Sequence, residues 1–165
     1  MKMKKDRDEA ERERERSLWK LRPAVREDIP AVSDLFLEML RTIFRRDDVE
    51  GYEEGYLERY FADGEDRLVV AEAEGKVVGY LAAEVHREEI DYLYFDDLSV
   101  SGAYRGRGIG TAMIRDAEAY GRSLGIGAFV LHAEKTNEGA RRLYERLGYG
   151  ILDEDGTRLR MVKGL

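Results

Sequence analysis

The stretch from Tyr104 to Ile114, YRGRGIGTAMI, constrains this chain more than any other. Gly106, Gly108 and Gly110 stand where an apolar helical pattern begins, and each glycine inside a helix costs about 1 kcal/mol against alanine. Such a cost is justified where the backbone must come close to something. The preceding run, IDYLYFDDLSV (90–100), is rich in strand formers. Strand, glycine loop and helix start in that order put main-chain N–H groups at the positive end of a helix dipole, where a diphosphate binds well. Arg105 and Arg107 can add charge-assisted bonds. The bland reading of the same glycines is a flexible turn.

Three phosphate-binding patterns compete for this loop. The Walker pattern needs Lys-Ser/Thr after its last glycine, and Thr111-Ala112 does not supply it. The dinucleotide pattern G-x-G-x-x-G fails from both starts, because Thr111 or Met113 stands where its third glycine belongs. The third, Arg/Gln-x-x-Gly-x-Gly/Ala, is met by Arg105, Gly108 and Gly110.

Hydrophobic periodicity organises the rest. Strands are expected at 18–24, on the two sides of Glu74-Gly75, at 90–100, in AFVLHAE, and in a terminal hairpin turning at Asp155-Gly156. Helices are expected from about Glu27 to Phe44, across the Tyr52, Tyr56, Tyr60 spacing, from about Gly108 to Leu124, and over TNEGARRLYERLGY. The order is β-α-α-β-β-β-α-β-α-β-β. Residues 1–17, MKMKKDRDEAERERERS, hold no apolar stripe and read as a mobile or solvent-facing tail before one domain at 18–165.

Composition narrows the function. With 165 residues, 43% of them apolar, one core is expected, and a formal charge of −7 argues against a nucleic-acid binder. The chain has no cysteine, hence no disulfide framework or thiolate nucleophile, and His86 and His132 are too far apart in sequence for a dedicated metal site. No apolar run approaches the roughly 20 residues of a membrane span, so a soluble cytoplasmic protein is expected.

The segments DDLSVSGAYRGRGIGTAMI and TNEGARRLYERLGY, at this separation, resemble the GNAT superfamily of N-acetyltransferases. The resemblance covers residues 18–165. It implies an α/β acyl-CoA N-acyltransferase fold with a central mixed, mostly antiparallel sheet of about seven strands flanked by about four helices. It implies acetyl-coenzyme A as donor. The diphosphate would lie on the amides of Arg105, Gly106, Arg107, Gly108, Ile109 and Gly110, running to Thr111. The pantetheine arm would lie along Leu98, Ser99 and Val100, between strands 90–100 and 128–134. Tyr144 matches the position of the family's general acid, although it also lies on the apolar face of its helix. Asn137 is expected to contact the cofactor and to cap the same helix.

The base is less determined by sequence. Strict alternation in YLYFDDLSV sends Asp96 and Asp97 to opposite faces, so only one should meet an acceptor. Asp96 matches the acidic position many relatives carry and leads, with a raised pKa expected among Tyr92, Tyr94 and Leu98. A structural ion pair is the other reading. His132 stands where relatives that acetylate protein N-termini carry Glu, which weakens assignment to that branch, and Glu84 is third. An amine-bearing acceptor follows from the resemblance, with a homodimer through the C-terminal hairpin or an edge strand. The alternatives left open are an acyl-CoA sensor without turnover and transfer to a hydroxyl.

Overall fold

The computed structural model describes residues 2–16 and 18–165. Ser17, at the expected domain boundary, lies outside the described residues, as does Met1. Helix α1 (Lys2–Arg16) carries exposed side chains over residues 2–14. Then come β1 (Trp19–Pro23), α2 (Ile29–Phe44), β2 (Arg67–Ala73), β3 (Lys76–His86), β4 (Tyr92–Val100), α3 (Ile109–Ser123), β5 (Ala128–Glu134), α4 (Glu138–Arg146), β6 (Gly150–Asp155) and β7 (Arg158–Lys163). The strands form one seven-stranded sheet in the order β1-β2-β3-β4-β5-β7-β6. Every pairing is antiparallel except β4 with β5. This is the mixed α/β architecture expected. Among the described residues no helix is long and apolar enough to cross a membrane.

Each face of the sheet buries its own core. On one side Leu93, Phe95, Met113, Ile114, Phe129 and Met161 pack beneath α3 and α4. On the other, Val32 and Leu35 of α2 pack with Val70, Tyr80 and Ala82. The α3 face approaches β4 and β5 closely at Gly121: a Cβ there would meet a Phe129 ring carbon at 2.8 Å and Leu93 at 3.3 Å. Alanine in a helix gains about 1 kcal/mol over glycine, whereas overpacking a core costs about 1–3 kcal/mol. The second effect wins, so Gly121→Ala should lower stability by about 1–2 kcal/mol in chemical denaturation.

Two elements depart from the sequence pattern. The Tyr52, Tyr56, Tyr60 spacing predicts an α-helix, but the chain forms only a 3-10 turn at Tyr56–Phe61. Gly51 and Gly55 interrupt the run, Gly55 in a left-handed conformation, and too few residues remain to offset helix nucleation. Tyr52 instead stacks between Phe36, at 3.9 Å, and Tyr56, at 5.0 Å.

The second departure lies in β4. Ala82 pairs with Asp97 and the next residue, Ala83, with Phe95, so Asp96 is an extra residue in a β-bulge. The bulge breaks the alternation. Leu98 and Val100 pack with the same core as Leu93 and Phe95, and Asp96 and Asp97 come out together on the α2 side. The expected divergence of the two aspartates is therefore corrected: an inserted residue cancels the half-turn between neighbours.

Candidate active site

β4 and β5 hold each other only from Tyr92–Phe95 against Ala128–Leu131. Beyond that β5 continues against β7 alone, so the β5-facing edge of residues 96–100 has no strand partner. The two strands part, and a cleft of about 990 Å³ opens between them. Its walls include Asp96 to Val100 of β4, Leu131 to Glu134 of β5, and Met39, Leu40 and Ile43 of α2.

The glycine loop closes one end of the cleft. Gly106 and Gly108 have φ of 76° and 82°, the left-handed region that side chains avoid, with open space where a Cβ would point. Gly108 is the N-cap of α3, with no side chain capping it. The first intrahelical bond runs from the Ala112 N–H to the Gly108 carbonyl, leaving the amides of residues 109–111 without helical acceptors. Arg105 donates through Nε to the Val100 carbonyl at 3.2 Å. Arg107 lies over the Tyr104 ring at 4.8 Å. This bare, positively polarised cradle fits a diphosphate, and the unpaired edge of β4 fits an extended amide chain.

Across from β4, Tyr144 of α4 is 8% exposed and lines the cleft. Its hydroxyl makes no hydrogen bond among the described residues, while its ring lies edge-on to Tyr149 at 6.3 Å. Burial, then the charge of Asp97, push its pKa up to about 12. Asn137 caps α4, its Oδ1 accepting from the Ala140 N–H at 3.3 Å, and also lines the cleft.

The α2 side supplies the polar groups. Tyr52 donates to Asp97 Oδ2 at 2.5 Å, and its hydroxyl lies 2.9 Å from that of the buried Tyr80. Tyr56 and Tyr60 donate to Asp96 Oδ2 at 2.6 and 3.3 Å. Burial, reinforced by Asp96, raises the Asp97 carboxyl to about 6. His132 sits with Nδ1 2.7 Å from the Tyr94 hydroxyl and Nε2 3.3 Å from Asp155. Both contacts are satisfied when Tyr94 donates to Nδ1 and the proton rests on Nε2. Burial and then Arg158 push the His132 pKa down.

A model of the acetyltransferase (GNAT) family matches residues 37–149. The chain belongs to this family. An uncharacterized N-acetyltransferase of Methanocaldococcus jannaschii is 30% identical over 88% of the chain and 66% of its own length. Streptothricin acetyltransferase of Streptomyces lavendulae is 31% identical over 58% of the chain and 52% of its own length. The chain thus spans no more than about two thirds of either relative. Among solved structures, the PaiA N-acetyltransferase of Thermoplasma acidophilum, in complex with coenzyme A, superposes with a TM-score of 0.73 at 18% identity. That match covers 89% of this chain and 99% of that one. Arabidopsis thaliana Naa50, with a bisubstrate analogue, gives 0.70 at 21% identity, covering 90% and 99%. At such identities the structures establish the fold.

In this GNAT domain most residues singled out in the sequence come together. Asp96, Leu98, Ser99, Val100, Arg105, Gly106, Gly108, Ile109, Gly110, Thr111, His132, Asn137 and Tyr144 all line the cleft. Arg107 and Glu84 are not among the lining residues. Glu84 is held behind the tyrosines by Arg59, at 3.2 Å, and by His86, at 3.3 Å. Ser99 is buried, its hydroxyl donating to the Leu35 carbonyl at 3.4 Å. Asp97, Tyr52 and Arg158 were missed as site residues. Asp97 was visible only as the neighbour of Asp96, and nothing in the spacing links Tyr52 or Arg158 to β4.

Proposed function

We propose that this chain is an N-acetyltransferase that moves an acetyl group from acetyl-coenzyme A to a primary amine by direct attack. The observation that carries the reading is the parting of β4 from β5, with the amide cradle at one end of the gap and the Tyr144 hydroxyl along its side. The catalytic unit is residues 18–165, with α1 as a solvated extension. The family to which the chain belongs, and neighbours solved with coenzyme A, support the same donor.

In this reading the amides of residues 106–110 and the Arg105 guanidinium take the donor's diphosphate. The free edge of β4 pairs with the pantetheine amides, and a main-chain N–H near Leu98 or Ser99 faces the thioester oxygen as it gains charge. The nitrogen forms the C–N bond as the C–S bond breaks. Tyr144 gives its proton to the departing sulfur and recovers one from the nitrogen as the amide forms. The chain offers no cysteine for a covalent acyl-enzyme, so donor and acceptor meet directly.

The acceptor side is acidic and aromatic, with Asp96, Asp97, Tyr56 and Tyr60 beside the cleft, which favours an ammonium through charge and cation–π contact. The test has two parts. Calorimetry should detect coenzyme A binding, and a mass-spectrometric panel of amines, peptides and alcohols should show acetylation of a primary amine. Binding without any acetylated product would identify a sensor. Alcohol products alone would identify an O-acetyltransferase, and the absence of binding would overturn both.

A further inference from the structure

The inference concerns the two adjacent carboxylates of the β4 bulge, and it rests on the function proposed above. A regular strand would keep only one of them beside an acceptor. Here both lie on the α2 side and line the cleft, each bonded through Oδ2 to a phenol of the 52–60 segment. Among the described residues, Oδ1 of each carboxylate accepts no hydrogen bond.

We propose that the pair divides the work: Asp97 takes the proton from the acceptor ammonium, and Asp96, held by Tyr56 and Tyr60, is the anionic anchor against which that ammonium docks. The step balances simply. The R–NH3+ group gives one proton to the Asp97 carboxylate, the neutral nitrogen attacks the thioester carbon, and the Asp97 carboxyl later releases its proton to solvent.

Surroundings distinguish the two roles. Asp97 sits against Tyr52, which is stacked on Phe36 and backed by the Tyr80 hydroxyl. Burial comes first in raising its pKa to about 6, the charges of Asp96 and Glu84 add to it, and the Tyr52 bond and Arg158 oppose it. A carboxylate in that range is ionised at neutral pH and more basic than an ordinary aspartate. Its charge also reaches Tyr144, so that base and acid face the same gap.

The remaining candidates are committed elsewhere. Both ring nitrogens of His132 are occupied, by Tyr94 and Asp155. Glu84 is tied to Arg59 and His86. Arg59 lies over the rings of Tyr56 and Tyr60, at 5.4 and 5.6 Å, which fixes the two phenols that grip Asp96. Carboxylates whose environments differ in this way commonly take different roles.

The test compares the wild type with D97N, D96N and Y52F, using the primary amine turned over fastest in the panel, from pH 5 to 9. Coenzyme A titrations verify each donor site. Asp97→Asn should lower kcat at least tenfold, with KM for the amine changed less than threefold, and should abolish the loss of activity that the wild type shows below about pH 6. Asp96→Asn should instead raise KM at least tenfold. It should also move that acidic limb to lower pH, because a like charge beside Asp97 is gone. Tyr52→Phe should move the limb to higher pH, since it removes a bond that favours the ionised form.

Wild-type kcat in D97N, or a collapse of kcat confined to D96N, overturns the assignment. If D97N no longer binds coenzyme A, Y52F decides, and an unmoved limb overturns it. A wild-type chain that turns over no amine removes the proposed function and this assignment together. Normal wild-type turnover beside an unimpaired D97N removes the assignment alone.

Discussion

Tyr144→Phe is expected to lower kcat about 100-fold while coenzyme A affinity stays within about twofold of wild type. Phenylalanine preserves the ring that packs against Tyr149 and the surrounding core, so only the hydroxyl is lost. That hydroxyl makes no hydrogen bond within the described chain, so its removal orphans no partner. The size of the effect follows from acidity. Burial and Asp97 hold the phenol at about 12, whereas a thiol titrates near ~8.5, so outright transfer of the phenolic proton to the thiolate is uphill. The proton moves only as the attacking nitrogen sheds its own onto the phenol. A donor used in this concerted way contributes at the lower end of the ~10²–10⁴ range of general-acid catalysis. Steady-state kinetics with calorimetry on the same sample checks the result. Unchanged kcat would make Tyr144 a core aromatic and nothing more.

Local features were legible in the sequence where a residue's own conformational needs declare its place. The glycines at 106, 108 and 110 could be read as a main-chain cradle because glycine carries its reason with it. The observed φ of 76° and 82° at Gly106 and Gly108 are values that side chains avoid. Helix α3 was legible because Met113, Ile114 and Ala117 recur at helical spacing and are all buried. The α4 cap was legible because an asparagine three residues before a helical N–H has few other uses there.

What escaped depends on register, which no single segment encodes. Alternation in YLYFDDLSV assumed an uninterrupted ladder, but whether Asp96 pairs or bulges is decided jointly by β3 and β4. One inserted residue reversed the face assigned to everything after it, Leu98 and Val100 included. The Tyr94–His132 contact required the parallel pairing of Tyr94 with Val130, two residues short of the histidine. Tyr52 looked like the first turn of a helix; Gly55 ended that helix before it began and left the ring free to stack on Phe36 and reach Asp97.

Gly108→Val should raise the dissociation constant for coenzyme A by roughly 1,000-fold, and Gly108→Asn by about tenfold or less. The reasoning separates space from conformation. Nothing lies within 4 Å of a Cβ built at Gly108, so no neighbour excludes valine. The obstacle is the backbone, held at φ 82° with the amides of α3 directly behind it. A β-branched residue loses about 1–2 kcal/mol or more in that region and relaxes by turning the peptide toward negative φ. That rotation swings the Gly108 and Ile109 N–H groups away from the cradle. Hydrogen bonds to a charged group are worth about 1.5–3 kcal/mol each, so losing two gives about 3–6 kcal/mol, which spans a thousandfold change in affinity. Asparagine tolerates the left-handed conformation far better than valine, so the fold of the loop survives and most of the affinity with it. The loop faces solvent, so the melting temperature of both variants should change little, which separates a binding defect from unfolding. Equal affinity of the valine, asparagine and wild-type proteins would mean that the diphosphate lies elsewhere, since no cradle built from these amides can be indifferent to the sign of φ at its centre.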